Sequence, residues 1–266
     1  MAHSHVDRYP ARGQRVAGTT TIYYETVGTG PPLILIHGLG GSRRWWRKNI
    51  AALAPHFTVY TIDLIGFGKS RGGRRFVLDE AAAALHEWMA ALDLAHASLI
   101  GHSMGGRIGA ELAVDYPGSL DRLVLVDSPI LPFGRGYRRQ LLGMAEALTT
   151  VPIDLFRVLV MDTLRTGPLT TLQIGHELLR TDIARKLAQL HLPTLVIWGE
   201  RDTIVPRRLG EELAAQLPQS HFATVARAGH TPMWEQPEAF NQLVLPFLGV
   251  AGDKHALDRP RREPIF

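Results

Sequence analysis

No cysteine occurs anywhere in the 266 residues. That excludes disulfide bridges, thiolate metal sites and a cysteine nucleophile together, and it suits a reducing compartment. Lysine is nearly as scarce. Only Lys48, Lys69, Lys186 and Lys254 occur, so 25 of the 29 positive side chains are arginine, set against 25 acidic residues for a formal charge of +4. The short clusters Arg43-Arg44 and Arg71/Arg74/Arg75 carry no interleaved aromatic motif, which argues for solvated faces and against a nucleic-acid partner. No run approaches the ~18 apolar residues of a membrane span. The N-terminus, Met1-Ala2-His3-Ser4-His5-Val6-Asp7-Arg8, lacks the apolar core of a signal peptide. The expectation is a soluble cytoplasmic protein with no membrane partner; nothing in the pattern specifies an oligomeric state.

What is present is ordinary for a globular chain: 45% hydrophobic and 20% charged residues, enough length for one large α/β domain with an elaboration. Residues 1 to about 18, punctuated by Pro10, Gly13 and Gly18, read as an arm with one edge strand. Thr20 to Val27 is β-branched and aromatic, a strand ended by Gly28-Thr29-Gly30-Pro31. Leu33 to Ile36 is continuously apolar, as a strand buried on both faces of a parallel sheet would be. Further strands are expected over Phe57–Ile62, Ala97–Ile100, Asp121–Val126, Pro193–Trp198 and His221–Val225. Helical patterns alternate with them: residues 44 to 53, a helix capped by Asp79 with Leu85, Trp88, Met89 and Leu92 on one face, a helix opened by Pro206, and Glu235 to Leu248.

The alternation stops between residues 129 and 190. Helical patterns there (Leu141/Leu142/Leu148, Ile153/Phe156/Leu159/Val160, Leu178/Leu179/Ile183) are broken by several prolines and glycines. The segment is too long for a connecting loop and reads as a helical cap inserted after the sixth strand. The organisation expected is therefore a core of residues 1–128 and 191–250, a cap over 129–190 and a flexible charged tail over 251–266.

One stretch carries chemistry. Gly101-His102-Ser103-Met104-Gly105 lies between a strand pattern and a helical pattern with Met104, Ile108 and Leu112 on one face. A strand that turns into a helix within one residue strains that residue and lifts its side chain clear. Glycines two places either side let the two backbones pass closely, so Ser103 is the candidate nucleophile. His37-Gly38-Leu39-Gly40-Gly41 follows another strand directly, and its uncovered N–H groups suit a developing oxyanion, Leu39 being the expected donor. His37 reads as a structural residue holding that loop, and Asp63 as a structural acceptor.

A serine nucleophile needs a base, and histidine titrates in the useful range. Of the twelve histidines, His230 lies just past the last strand, on the sheet edge where ligands of open α/β sheets bind. His102 is expected to point away from Ser103, and His56, His86, His96, His176, His191 and His221 to be structural or solvated. For an orienting acid, Asp127 and Asp202 compete, since each follows a strand and each precedes His230.

These residues together resemble the α/β-hydrolase fold family over roughly residues 20 to 250. The resemblance rests on His37-Gly38, the Gly101–Gly105 elbow, Gly199-Glu200-Arg201-Asp202-Thr203-Ile204-Val205-Pro206, and Gly229-His230 with Glu235-Gln236-Pro237-Glu238. It implies a mostly parallel central sheet flanked by helices and no cofactor or metal. It also implies a Ser103–His230–Asp202 triad, with oxyanion donors at Leu39 and Met104. Gly38, Ile130, Leu131, Val205 and Met233 are the positions expected to line a substrate pocket. A nucleophilic serine argues against the dehalogenase and epoxide hydrolase branches, which use aspartate at the elbow. The activity implied is hydrolysis of carboxylic esters of apolar, short-to-medium acyl substrates through an acyl-enzyme. Carbon–carbon bond hydrolysis of ring-cleavage products, lactone, thioester or peracid chemistry, and a non-catalytic receptor are the alternatives.

Overall fold

Along the central strands successive side chains enter two different cores. Leu33, Leu35, Val59, Ile100, Val124, Val126, Leu195 and Ile197 join one cluster, while Ile34, Ile36, Ile62, Leu99, Leu123, Leu125 and Val196 join the other. This is the period of two of a sheet covered on both faces, and it explains why these strands are apolar throughout. The computed structural model describes residues 12–15, 22–71, 76–132, 143, 146–147, 151–180 and 183–250.

Among the described residues eight strands form one sheet: β1 (Arg12–Arg15), β2 (Tyr23–Val27), β3 (Pro32–Ile36), β4 (Thr58–Asp63), β5 (Ala97–His102), β6 (Leu120–Val126), β7 (Thr194–Gly199) and β8 (Ser220–Val225). Their order is β1-β2-β4-β3-β5-β6-β7-β8. The β1–β2 and β2–β4 pairs are antiparallel and every other pair is parallel. From β3 the chain crosses to β4 on one side and then to β5 on the other. The loops after β3 and β5 consequently flank a topological switch point, the crevice where such sheets place ligands.

The helices are α1 (Ile50–Leu53), α2 (Ala81–Ala90), α3 (Met104–Asp115), α4 (Ile153–Thr166), α5 (Pro168–Arg180), α6 (Ala184–Leu187), α7 (Arg207–Gln216), α8 (Pro232–Glu235) and α9 (Pro237–Phe247). Leu85, Trp88 and Met89 of α2 and Ile108 and Leu112 of α3 fill one core, with Leu209 and Leu213 of α7. Trp45, Trp46 and Leu53 fill the other with Met233, Phe240 and Val244. Among the described residues no helix is long and apolar enough to cross a membrane.

Four local expectations need correction. Residues 44–53 are not one helix but a 3-10 turn, Arg43–Trp46, followed by the short α1. The Arg43 N–H and guanidinium both bind Asp63, which holds the turn to the end of β4. Asp79 caps nothing: it lies in a 3-10 turn, and Glu80 is the residue preceding α2. The last helix begins at Pro237 rather than Glu235, because Pro237 disfavours helical backbone at Gln236, which sits at φ −136°, ψ 61° and separates it from the short α8. Finally, β5 continues through Gly101 and His102 up to Ser103 itself.

Between β6 and β7 lie α4, α5 and α6. The helical pattern Ile153, Phe156, Leu159 and Val160 divides: Leu159 is half-buried against the core that holds Trp45 and Trp46, while Ile153, Phe156 and Val160 are exposed, together with Met161, Leu164, Leu169 and Leu172. Helix α4 buries the opposite face, Leu155 and Asp162. Asp162 decides the orientation: it accepts from the Ser42 hydroxyl at 2.7 Å and pairs with Arg44. Ile174, Leu178 and Ile183 do join the core. The side chains of Leu141, Leu142, Leu148 and Leu179, and the tail from 251 onward, lie outside the described residues.

Candidate active site

Ser103 sits between β5 and α3 at φ 51°, ψ −117°, outside the regions L-residues ordinarily occupy. The strain is held from both sides. The Ser103 N–H donates to Val126 O at 2.7 Å on the neighbouring strand, and its carbonyl accepts the N–H groups of Gly106 and Arg107. Close passage of the backbones explains the flanking glycines. A Cβ on Gly101 would stand 2.5 Å from Gly105 O, and one on Gly105 would stand 2.6 Å from His37 O.

His230 lies in the loop between β8 and α8. Its Nδ1 is 2.8 Å from Asp202 Oδ2, and its Nε2 is 3.2 Å from Ser103 Oγ. With Nδ1–H donating to the carboxylate, Nε2 is left to accept from the hydroxyl. Three positions separated by 99 and 28 residues thus form one continuous hydrogen-bond relay. Asp202 is fixed independently, because its Oδ1 accepts the N–H groups of Ile204 and Val205 at 2.8 and 3.0 Å.

Asp127, the competing acid, does not meet the imidazole in a hydrogen bond of this relay. Its Oδ1 accepts from the Gly199 N–H at 2.9 Å, and its side chain is wholly buried. Burial first, and then the adjacent Asp202 carboxylate, push the Asp127 carboxyl well above the usual carboxylate range.

The loop after β3 is built as a rigid shelf. His37 donates through Nδ1 to Gly38 O at 2.8 Å and accepts the Leu64 N–H on Nε2 at 3.1 Å, so it is a neutral structural ring. Burial, which outweighs nearby Asp63, depresses its pKa. Gly41 N–H closes onto Gly38 O at 3.1 Å. Gly38 packs against the His102 ring and Ser103 Cβ. The Met104 N–H opens α3 and has no acceptor within the helical ladder, whose first four donors are always unfilled from inside.

Ile130, Leu131 and Val205 are buried in the core that also holds Ile174 and Leu178, whereas Met233 is buried in the opposite core beside Trp45 and Trp46.

Three supporting residues escaped the sequence reading. His102 does not simply point away: its ring centroid is 4.9 Å from that of His230, and its Nε2 donates to His230 O at 2.7 Å. Burial and the neighbouring His230 hold its pKa well below the ordinary value. Glu235 clasps the loop on both sides of His230, accepting from Gly229 N, Thr231 N and Thr231 Oγ1. Asp162 ties α4 to the loop after β3 through Ser42 and Arg44. His102 stood in the Gly101–Gly105 elbow and Glu235 in the Glu235–Glu238 run, but nothing there specified the donor role of the one or the acceptor role of the other.

Residues 31–180 match the model of the alpha/beta hydrolase fold family, and residues 179–256 match that of TAP-like proteins. The chain belongs to the alpha/beta hydrolase fold family. It is 30% identical to the pimeloyl-acyl carrier protein methyl ester esterase of Serratia marcescens over 258 residues, covering 87% of this chain and 99% of the relative. Among solved structures it is similar to a thermophilic esterase from Thermogutta terrifontis, at 28% identity and a TM-score of 0.76 over 88% of this chain and 98% of that one. It is also similar to a serine hydrolase involved in carbazole degradation, at 27% identity and a TM-score of 0.79 over 91% and 100%. Esterase-like relatives therefore span nearly its whole described length.

Proposed function

We propose that the protein is a carboxylesterase: a serine hydrolase that cleaves esters of small apolar acids through an acyl-enzyme. Ser103 is the nucleophile, His230 the general base and Asp202 the acid that fixes the imidazole tautomer and balances the imidazolium. The observation that carries this reading is the approach of His230 Nε2 to Ser103 Oγ at 3.2 Å while Nδ1 is held by Asp202.

In the first half-reaction Ser103 Oγ adds to the ester carbonyl carbon as its proton passes to Nε2. The carbonyl oxygen becomes an oxyanion held by the N–H groups of Leu39 and Met104, each such donor contributing about 3 kcal/mol in related sites. Collapse expels the alcohol, protonated by the imidazolium, and leaves the acyl-serine. Water, deprotonated by His230, then adds to that carbonyl and frees the acid.

Residues 129–190 act as a cap over this edge of the sheet, and Gly38, Ile130, Leu131 and Val205 shape the acyl side of the pocket, with Met233 set in the other core. The bonds from Asp162 to Ser42 and Arg44 support that placement, since they run from α4 to the loop bearing Leu39. The esterase relatives support the ester over other carbonyl substrates.

A panel of p-nitrophenyl esters from acetyl to palmitoyl, with one ring-cleavage dienoate, tests the reading. Turnover of the shorter esters, lost in Ser103→Ala with the fold retained, is the expected result. Undiminished turnover in Ser103→Ala would overturn it.

A further inference from the structure

Beside the proposed relay stands an acid that the mechanism above does not use. Asp127 follows β6 at φ +45°, in the left-handed region that aspartate and asparagine tolerate better than most residues. Its carboxyl is completely buried. Oδ1 accepts the Gly199 N–H, but Oδ2 is buried without any N–H or O–H partner. One side-chain oxygen of Asp127, one of Asp202 and one ring nitrogen of His230 all lie within 4.8 Å of one another.

Two buried carboxylates this close cannot both ionise cheaply, so one proton is shared between them. The donors decide where it resides. Asp202 accepts two N–H groups on Oδ1 and the imidazole N–H on Oδ2, three in all, whereas Asp127 accepts one. The better-solvated carboxylate is Asp202, and the extra proton belongs to Asp127.

We propose that Asp127 is a neutral carboxylic acid whose Oδ2–H donates to the Asp202 carboxylate, making it a positioning residue behind the relay. The proposal rests on the triad reading above and adds a fourth member to it. The upward displacement of the Asp127 carboxyl by burial and by Asp202 agrees with it. Of the other groups around the pair, Glu235 is already held by three donors of its own loop, and His102 is kept neutral by burial. With Asp127 protonated, His230 faces a single negative charge.

Two readouts test this. The first needs no turnover: an infrared difference spectrum at pH 7 between wild type and Asp127→Asn. The proposal predicts a carboxylic-acid C=O band in wild type that the variant lacks, and its absence overturns the proposal. The second is the pH profile of kcat/KM on a short p-nitrophenyl ester. Asparagine keeps the acceptor for Gly199 and supplies an N–H for Asp202 without changing the charge, so the acid limb of the profile stays in place. Had Asp127 been ionised, removing its charge would lower the acid limb by about one pH unit, which would refute the proposal. Asp127→Ala, which deletes the donor, should lower kcat by about tenfold with KM little changed. If wild type hydrolyses no ester, the proposed function fails while the infrared result still decides the state of Asp127.

Discussion

The Nε2–H of His102 donates to the main-chain oxygen of His230 at 2.7 Å, joining the residue before Ser103 to the residue that faces Ser103. The Trp45 ring packs on the His102 ring, 5.4 Å away between centroids. Replacing His102 with alanine should leave the half-buried His230 carbonyl without its donor and open a cavity. A loss of about 1–3 kcal/mol is expected in urea denaturation, with kcat falling more than KM rises as the His230 loop loosens. Gln, which can still donate, should recover part of both.

The same ring gives stability a pH dependence with a definite sign. His102 and His37 are both buried and neutral, with folded-state pKa values below their unfolded value of about 6.5. Below that pH the unfolded chain binds protons that the folded chain refuses. Their contribution to stability is therefore present above about 6.5 and is lost as the pH falls towards the depressed folded values. Denaturation of wild type and His102→Gln between pH 5 and 8 should show the destabilisation caused by the variant shrinking towards acid. A difference that grew towards acid would contradict the neutral assignment.

Asp162 is the second tether with a measurable effect. It is 1% exposed and bonded to Ser42 and Arg44, so Asp162→Ala strands a hydroxyl and leaves the guanidinium unpaired at that site. Destabilisation of about 1–3 kcal/mol is expected, with Ser42→Ala costing about 1 kcal/mol. A double-mutant cycle should return a coupling of at least about 0.5 kcal/mol. Simple additivity would mean that the bond contributes nothing in solution.

At the elbow, Gly105→Ala places a methyl 2.6 Å from His37 O and 2.7 Å from Ile36 O, both of them backbone atoms of β3 or its end. Neither can move without disturbing the loop that carries Leu39. About 1–3 kcal/mol of strain is expected, together with a loss of kcat, checked by thermal melts alongside ester turnover.

The strands were the most legible part of the chain, and the reason is burial on both faces. Leu33 to Ile36 has no polar residue because each side chain enters one core or the other. Ser103 was legible because the strand, the helix and the glycines all crowd one point. What the pattern could not specify depended on partners remote in sequence. The turn at Arg43 answers to Asp63, and the outward apolar stripe of α4 answers to Ser42 and Arg44. Spacing alone left Asp127 and Asp202 equivalent as acids, since both follow strands on the same edge. Their difference is one of donors, three against one, and donors of that kind are set by loop geometry after folding.

Covalent labelling tests the central claim most directly. Intact mass and peptide mapping after treatment with an alkyl fluorophosphonate should find one adduct, on Ser103, formed fast in wild type and at least about a hundredfold more slowly in His230→Ala. An adduct on another residue, or labelling of Ser103 at the wild-type rate without the imidazole of residue 230, would contradict the account.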